Sequence, residues 1–115
     1  MNWATFFAAV IMFESGGDMH AFNKAEKAYG PMQITPIAVQ DINRIYGTDL
    51  KQEECSSEAI SEWAFIAYGM AYGAETQEEF YRIWNGGPDG MSEEKTEENW
   101  NKVLLEAERL IRKRR

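Results

Sequence analysis

The residue of this chain best placed to do chemistry is a glutamate at the end of an apolar stripe. Trp3, Val10 and Glu14 recur at helical spacing, and Ser15 with two glycines follows at once, so Glu14 is predicted in the last turn of a helix. Burial and the negative end of the helix dipole both disfavour a charged carboxylate there. A carboxylic acid that keeps its proton near neutral pH can protonate a glycosidic oxygen. By position alone, a carboxylate that ends an apolar stripe is more often a solvated C-terminal residue or a buried salt-bridge partner.

Two further segments contain side chains suited to holding a substrate. Residues 30–34 read Gly-Pro-Met-Gln-Ile, and residues 83–88 read Ile-Trp-Asn-Gly-Gly-Pro. The amides of Gln33 and Asn85 can donate to and accept from N-acetyl and hydroxyl groups, and Met32 can fill irregular apolar space under a sugar. Taken singly, Gln33 and Asn85 are better explained as ordinary caps, so the combination of segments carries the hypothesis.

Glu-Ser-Gly-Gly at 14–17, Gly-x-Met-Gln at 30–33 and the aromatic-Asn-x-Gly turn at 84–87 are the segments concerned. In order and approximate spacing they resemble the three signature motifs of the soluble lytic transglycosylase catalytic domain, a relative of goose-type lysozyme. The resemblance covers roughly residues 3–103. It implies a lysozyme-like α fold and an enzyme that cleaves the β-1,4 bond after N-acetylmuramic acid in peptidoglycan, with Glu14 as general acid and then general base.

In that family no second catalytic carboxylate is required. The resemblance implies that the sugar's own N-acetyl group assists and that its C6 hydroxyl attacks, which gives a 1,6-anhydro product instead of admitting water. A hydrolytic muramidase or a chitinase of the same fold is an alternative, as is a wall-binding or assembly module without turnover. Asp18, His20 and Asp41 are the side chains that could supply a second acid or base.

The resemblance also implies a set of substrate-binding residues. Ser15 corresponds to the residue that supports the glutamate and the sugar, Met32 and Gln33 to the cleft floor, and Asn85 to the substrate-binding amide. The set is completed by two aromatic residues, so that the predicted substrate-binding residues are Ser15, Met32, Gln33, Tyr68, Trp84 and Asn85.

The chain departs from the family pattern at several of these places. Trp84 stands where the family usually has Tyr, and its ring can stack on a sugar face or fill the core. Pro31 replaces the usual Leu before Met-Gln. Tyr68 is preferred to Tyr72 as the family's tyrosine near the glutamate. The loop over residues 18–29 has its own length and composition.

Hydrophobic spacing and capping signals predict the elements that position these residues. Thr35 before Pro36 is typical of a helix start, and Thr76 with Glu79 has the spacing of a capping box. The predicted elements are helices over 3–14, over 36–46, from Ser56 or Ser57 toward Gly73, from Thr76 to Trp84 and from about Thr96 onward, with a long loop or small hairpin over 18–33 as one wall of a cleft. In the third helix the predicted buried residues are Ile60, Trp63, Ala64, Ala67, Met70 and Ala71.

Length and composition restrict the class of protein. A chain of 115 residues that is 44% hydrophobic suits one domain over 1–115. The formal charge of -7 argues against a nucleic-acid binder, which needs a clustered basic surface. Cys55 is the sole cysteine, and with His20 it falls short of a structural zinc site. We therefore expect a monomer without metal or cofactor.

The apolar segment over residues 3–13 could be mistaken for a membrane or export signal. It has no cationic flank and is too short to span a bilayer, so we interpret it as a helix of the mature domain and expect neither membrane insertion nor a signal peptide. Action at the cell wall, whether periplasmic, extracellular or phage-delivered, follows only from the resemblance.

Overall fold

The fold is built mainly from helices. The structure, a computed structural model, describes residues 1–114. In chain order its elements are α1 (Trp3–Ser15), β1 (Phe22–Asn23), β2 (Ala28–Tyr29), α2 (Pro36–Tyr46), α3 (Glu58–Ala71), α4 (Gln77–Gly86) and α5 (Glu94–Lys113), with short 3-10 helices at Gln52–Ser56 and Gly90–Ser92. The strands pair antiparallel, Phe22 opposite Tyr29. The predicted mainly helical fold, with five helices and a small hairpin after the first, is confirmed.

Local caps determine both ends of α1 and so the position of Glu14. The Asn2 side chain accepts a 2.8 Å hydrogen bond from the Thr5 amide. Gly16 is left-handed at φ 64°, and its amide donates to the Met12 oxygen, which closes the helix in the usual way for a glycine at this place. Glu14 therefore lies in the last turn of α1, as predicted.

The fourth helix begins as predicted but continues further. Thr76 and Glu79 form the capping box, with 3.1 Å from the Glu79 amide to the Thr76 hydroxyl and 2.9 Å from the Thr76 amide to the Glu79 carboxylate. The Gly87 amide still donates to the Ile83 oxygen at 2.8 Å. Asn85 consequently belongs to the last turn of α4 and not to the turn that follows it.

A buried arginine joins α4 to the first turn of α5 and to the segment before it. Arg82 is almost fully buried, and its guanidinium donates to Glu78 at 2.8 Å and to the Thr96 hydroxyl at 3.0 Å. It also donates to the main-chain oxygens of Met91 and Glu93. Because a buried guanidinium is stable only when its donors are satisfied, this network holds the chain against the end of α4 that carries Asn85.

Two groups of buried side chains form the core. One lies between α1 and the helices packed on it: Phe6, Ala9, Val10, Ile11, Met32, Phe65, Phe80, Tyr81, Trp100, Val103 and Ala107. The other lies beneath α2 and α3: Ile34, Ala38, Val39, Ile42, Cys55, Ala64, Tyr68 and Ile83.

The predicted buried face of α3 is too wide. Ala64 and Ala67 are buried, but Trp63 is 46% exposed and Met70 is 64% exposed. Helix α3 packs on α2, on α4 and on the 3-10 helix at Gln52–Ser56. Trp63 lies at the edge of these interfaces, with its ring centroid 6.5 Å from that of Tyr46 at the end of α2. No helix in residues 1–114 combines the length and apolarity needed to cross a membrane.

Candidate functional site

The site is organised around a tight turn at residues 30–33. Tyr29 and Ile34 exchange main-chain hydrogen bonds of 2.9 and 3.0 Å across it, and the Gln33 amide donates to the Gly30 oxygen at 3.1 Å. Gly30 has φ +86°, and a Cβ there would lie 2.2 Å from the main-chain oxygen of Cys55. Because that distance is a steric clash and the positive φ disfavours side chains, only glycine fits at this position. Gln33 is itself left-handed at φ 57°, a conformation unusual for a residue with a side chain.

Two side chains bind the other segments to this turn. The Ser15 hydroxyl donates a 2.8 Å hydrogen bond to the Pro31 oxygen, and the Trp84 indole donates a 2.8 Å hydrogen bond to the Met32 oxygen. The ends of α1 and α4 thus meet on consecutive peptide groups of one turn. Because Ser15 binds the main-chain oxygen of residue 31, a proline at that position can accept the hydrogen bond as well as any other residue. Proline also suits the second position of such a turn.

Two of the predicted substrate-binding residues lie behind the cleft wall. The Met32 side chain is fully buried in the first core group. Ser15 is engaged with Pro31. Neither residue lines the recess at Glu14 or the groove beside it, so their contribution in the structure is to fix the turn. Of the two residues predicted for the cleft floor, only Gln33 faces the cleft.

Glu14 opens into a small polar recess. The cavity has a volume of about 90 Å³. It is lined by Glu14, Asn23, Glu26, Gln33, Thr35, Trp84 and Asn85. Within residues 1–114 the Glu14 carboxyl group forms neither a hydrogen bond nor an ion pair. The carboxyl group is therefore free to interact with a ligand.

A wider groove continues from the recess. Its volume is about 630 Å³, and Glu26, Thr35, Trp84 and Asn85 line both spaces. Farther along, the groove is bordered by Tyr68. The two spaces form one cleft, with Glu14 at its narrow end and room for an extended ligand in the wide part.

The environment of Glu14 keeps its carboxyl group protonated. Burial, and secondly the negative charge of Glu26, raise the pKa of Glu14 from its ordinary 4.5 to about 8. Both causes act in one direction because each disfavours the charged form. A carboxylic acid with such a pKa is suited to deliver a proton near neutral pH.

The side-chain amides of Gln33 and Asn85 leave one hydrogen-bond acceptor and one donor free in the recess. The side-chain nitrogen of Gln33 donates to the main-chain oxygens of Ala21 and Gly30 at 3.1 and 3.0 Å. The side-chain oxygen of Gln33 is therefore available. The Asn85 oxygen accepts from the Asn99 amide at 3.0 Å, which leaves its nitrogen available. An acceptor and a donor side by side complement an amide group.

The predicted tyrosine lies in the groove and not in the recess. Tyr68 lines the wide part of the cleft and is almost fully buried. Burial, followed by the neighbouring Tyr72 and Asp41, raises the pKa of Tyr68 to about 12. Tyr68 is therefore a neutral wall of the groove.

A different tyrosine is coupled to Glu14. Tyr81 is fully buried. Within residues 1–114, its hydroxyl is the one buried side-chain oxygen or nitrogen without a hydrogen-bond partner. Burial, and then the charge of Glu14, raise the pKa of Tyr81. Its place one helical turn before Asn85 was a usable signal, since residues four apart share a helix face.

Sequence reasoning also missed Glu26 as a recess residue. The Asn23 side chain accepts from the amides of Ala25 and Glu26 at 2.9 and 3.2 Å, which holds the tip of the hairpin in an Asx turn. Glu26 thereby stands where the recess meets the groove. The available signal was an acidic residue in a loop already predicted to wall a cleft.

The three residues considered as a second acid or base lie elsewhere. The Asp18 side chain accepts from the His20 amide at 2.9 Å, and the His20 ring contacts the Tyr29 hydroxyl at 2.8 Å. Asp41 borders the wide groove, where it accepts a 2.5 Å hydrogen bond from Tyr72. None of the three lines the recess.

Comparison with models of known protein families gives no match, and neither does comparison with curated proteins. Across residues 1–114 no three His, Cys, Asp or Glu side chains come together as a metal site. The functional interpretation therefore depends on the cleft and on the three motifs.

Proposed function

We propose that this chain cleaves the β-1,4 glycosidic bond between N-acetylmuramic acid and N-acetylglucosamine in peptidoglycan, with Glu14 as the proton donor. The observation that carries the proposal is the carboxyl group of Glu14, free of partners and with its pKa raised to about 8, at the narrow end of an open cleft. Such a group can protonate the leaving oxygen of a sugar.

The shape and polarity of the cleft favour an acetamido sugar as the ligand. The groove of about 630 Å³ falls within the range of small-ligand sites. Trp84 contributes an aromatic wall where recess and groove meet. The free oxygen of Gln33 and the free nitrogen of Asn85 match the N–H and C=O of an N-acetyl group.

The contacts between the three motifs support the resemblance that suggested this substrate. Ser15 and Trp84 each donate a hydrogen bond to the turn at residues 30–33, so the motifs act as one unit. The family resembled acts at the cell wall and forms a 1,6-anhydro product. Hydrolysis by a muramidase is the alternative outcome of the same protonation.

The decisive experiment compares Glu14→Gln with Glu97→Gln on purified peptidoglycan. Glu97 is an exposed residue in the first turn of α5 and lines neither the recess nor the groove, so its variant is a control of the same chemical change outside the cleft lining. We expect Glu14→Gln to abolish release of soluble muropeptides while its melting temperature stays at or above that of the parent. Undiminished release from Glu14→Gln would exclude Glu14 as the proton donor.

Two other outcomes separate the rival functions. Binding to peptidoglycan without release of products, from walls of several chemotypes, indicates a wall-binding or assembly module. Cleavage of chitin oligomers in preference to peptidoglycan indicates a chitinase. Both assays use the same purified chain, so each compares directly with the muropeptide assay.

A further inference from the structure

The recess contains a second carboxylate that the transglycosylase reaction does not require. Glu26 lines the same cavity of about 90 Å³ as Glu14, and its negative charge contributes to the raised pKa of Glu14. The two side chains come from separate elements, the end of α1 and the tip of the hairpin. Their meeting is a property of the folded chain.

The Glu26 side chain has no structural task that would explain its position. It is exposed, and within residues 1–114 its carboxylate forms no hydrogen bond or ion pair. Its main chain is held by Asn23, so the backbone that carries the carboxylate is fixed while the carboxylate itself is free. Lys27 borders the groove but not the recess, and within residues 1–114 no lysine, arginine or histidine lines the recess.

The recess has the size and polarity to hold water. A water molecule occupies about 30 Å³ in the liquid, so a cavity of about 90 Å³ has space for a few. The Gln33 oxygen can accept from such a water. The Thr35 hydroxyl accepts from the Ala38 amide at 3.2 Å, which leaves its own proton to donate.

We propose that Glu26 is a second catalytic residue, a general base that activates water in the recess and makes this chain a hydrolase. This inference rests on the proposed function, because it concerns the same bond. Glu14 gives its proton to the leaving oxygen as the C1–O bond breaks. Water forms the new bond to C1, and Glu26 accepts the proton that the water loses.

The unequal surroundings of the two carboxyl groups fit this division of work. Glu14 is enclosed and has its pKa raised to about 8, which suits an acid. Glu26 is exposed and carries the charge that acts on Glu14, which suits a base. Pairs of carboxyl groups in such contrasting environments supply acid and base in glycosidases.

Digestion of peptidoglycan in water labelled with oxygen-18 tests the inference. Hydrolysis places one labelled oxygen at each new reducing end, whereas anhydro formation incorporates none. We expect labelled reducing ends from the parent chain. Predominantly anhydro ends would overturn the inference and leave the proposed function standing, whereas absence of any product would overturn both.

Variants at residue 26 assign the base. We expect Glu26→Gln to lower the rate of reducing-end formation by about 100-fold or more, the usual contribution of a general base, with Glu97→Gln unchanged. Azide needs no base to attack, so it should restore bond cleavage to Glu26→Ala and yield a glycosyl azide. A rate in Glu26→Gln within threefold of the parent, or no azide adduct from Glu26→Ala, overturns the assignment.

Discussion

The indole nitrogen of Trp84 donates a 2.8 Å hydrogen bond to the main-chain oxygen of Met32, across 52 residues of sequence. Trp84 lies in the last turn of α4, and Met32 lies in the turn that carries Gln33. The contact therefore sets the distance between two walls of the recess.

Trp84→Phe is expected to destabilise the fold by about 1–3 kcal/mol, because a largely buried carbonyl loses its partner and part of an aromatic side chain is removed. Urea unfolding monitored by circular dichroism measures the change. Trp63→Phe is the matched control, since Trp63 is 46% exposed, and we expect it to change stability by less than about 0.5 kcal/mol. Equal effects of the two variants would contradict the anchoring contact.

Gly30→Ala is expected to cost more stability than Gly47→Ala. Both glycines have positive φ, at +86° and +66°, so both variants pay for a left-handed conformation. Only at Gly30 does a new Cβ meet main chain, 2.2 Å from the Cys55 oxygen, whereas nothing lies within 4 Å at Gly47. Chemical denaturation should give about 1–2 kcal/mol for Gly47→Ala and a clearly larger loss for Gly30→Ala. The reverse order would refute the close approach.

The stability of the chain should depend on pH through Glu14. Its pKa is about 8 in the folded state against an ordinary 4.5, so between these values the folded state keeps a proton that the unfolded chain has released. The free energy of unfolding contributed by Glu14 is therefore full below pH 4.5 and is lost as the pH rises toward 8.

Glu14→Gln stays neutral throughout this range. The melting temperature of the variant, relative to the parent, is expected to rise steadily from pH 5 to pH 8 and then to level off. A difference that stays constant over this window would mean that Glu14 is not held protonated. Differential scanning fluorimetry in matched ionic strength is sufficient for the comparison.

Glu26→Gln should lower the pKa of Glu14, because it removes the negative charge that opposes ionisation of the Glu14 carboxyl group. Burial, the larger cause, persists in the variant, so the pKa should stay above 4.5. Carbon-detected NMR titration of the Glu14 side chain measures the shift without any substrate. An unchanged or higher pKa would show that the two carboxyl groups are not coupled.

Tyr81→Phe is expected to stabilise the chain by about 1 kcal/mol, since it removes a buried hydroxyl that lacks a partner. Tyr46→Phe makes the same chemical change but loses a 2.6 Å hydrogen bond to the Ala67 oxygen, so it should destabilise by about 1 kcal/mol. Guanidinium unfolding of both variants provides the test. Destabilisation by both would show that the Tyr81 hydroxyl has a partner in solution.

Much of this protein could be predicted from local sequence. The ends of α1 and α2 at Gly16 and Gly47, and the capping box of Thr76 with Glu79, depend on neighbours within four residues, so the chain specifies them wherever it folds. The position of Glu14 in a last helical turn is local for the same reason.

The exposed face of α3 and the composition of the recess were decided by tertiary structure alone. Trp63 and Met70 have the hydrophobicity of core residues, but they lie at the edge of the α3 interfaces and remain 46% and 64% exposed. Glu26 belongs to the recess because the Asx turn at Asn23 points the hairpin tip toward α1. The raised pKa of Glu14 depends on burial by distant segments and on the charge of Glu26. Burial and Coulomb interaction act through space, so the order of residues could indicate the acid but not the groups that set its pKa.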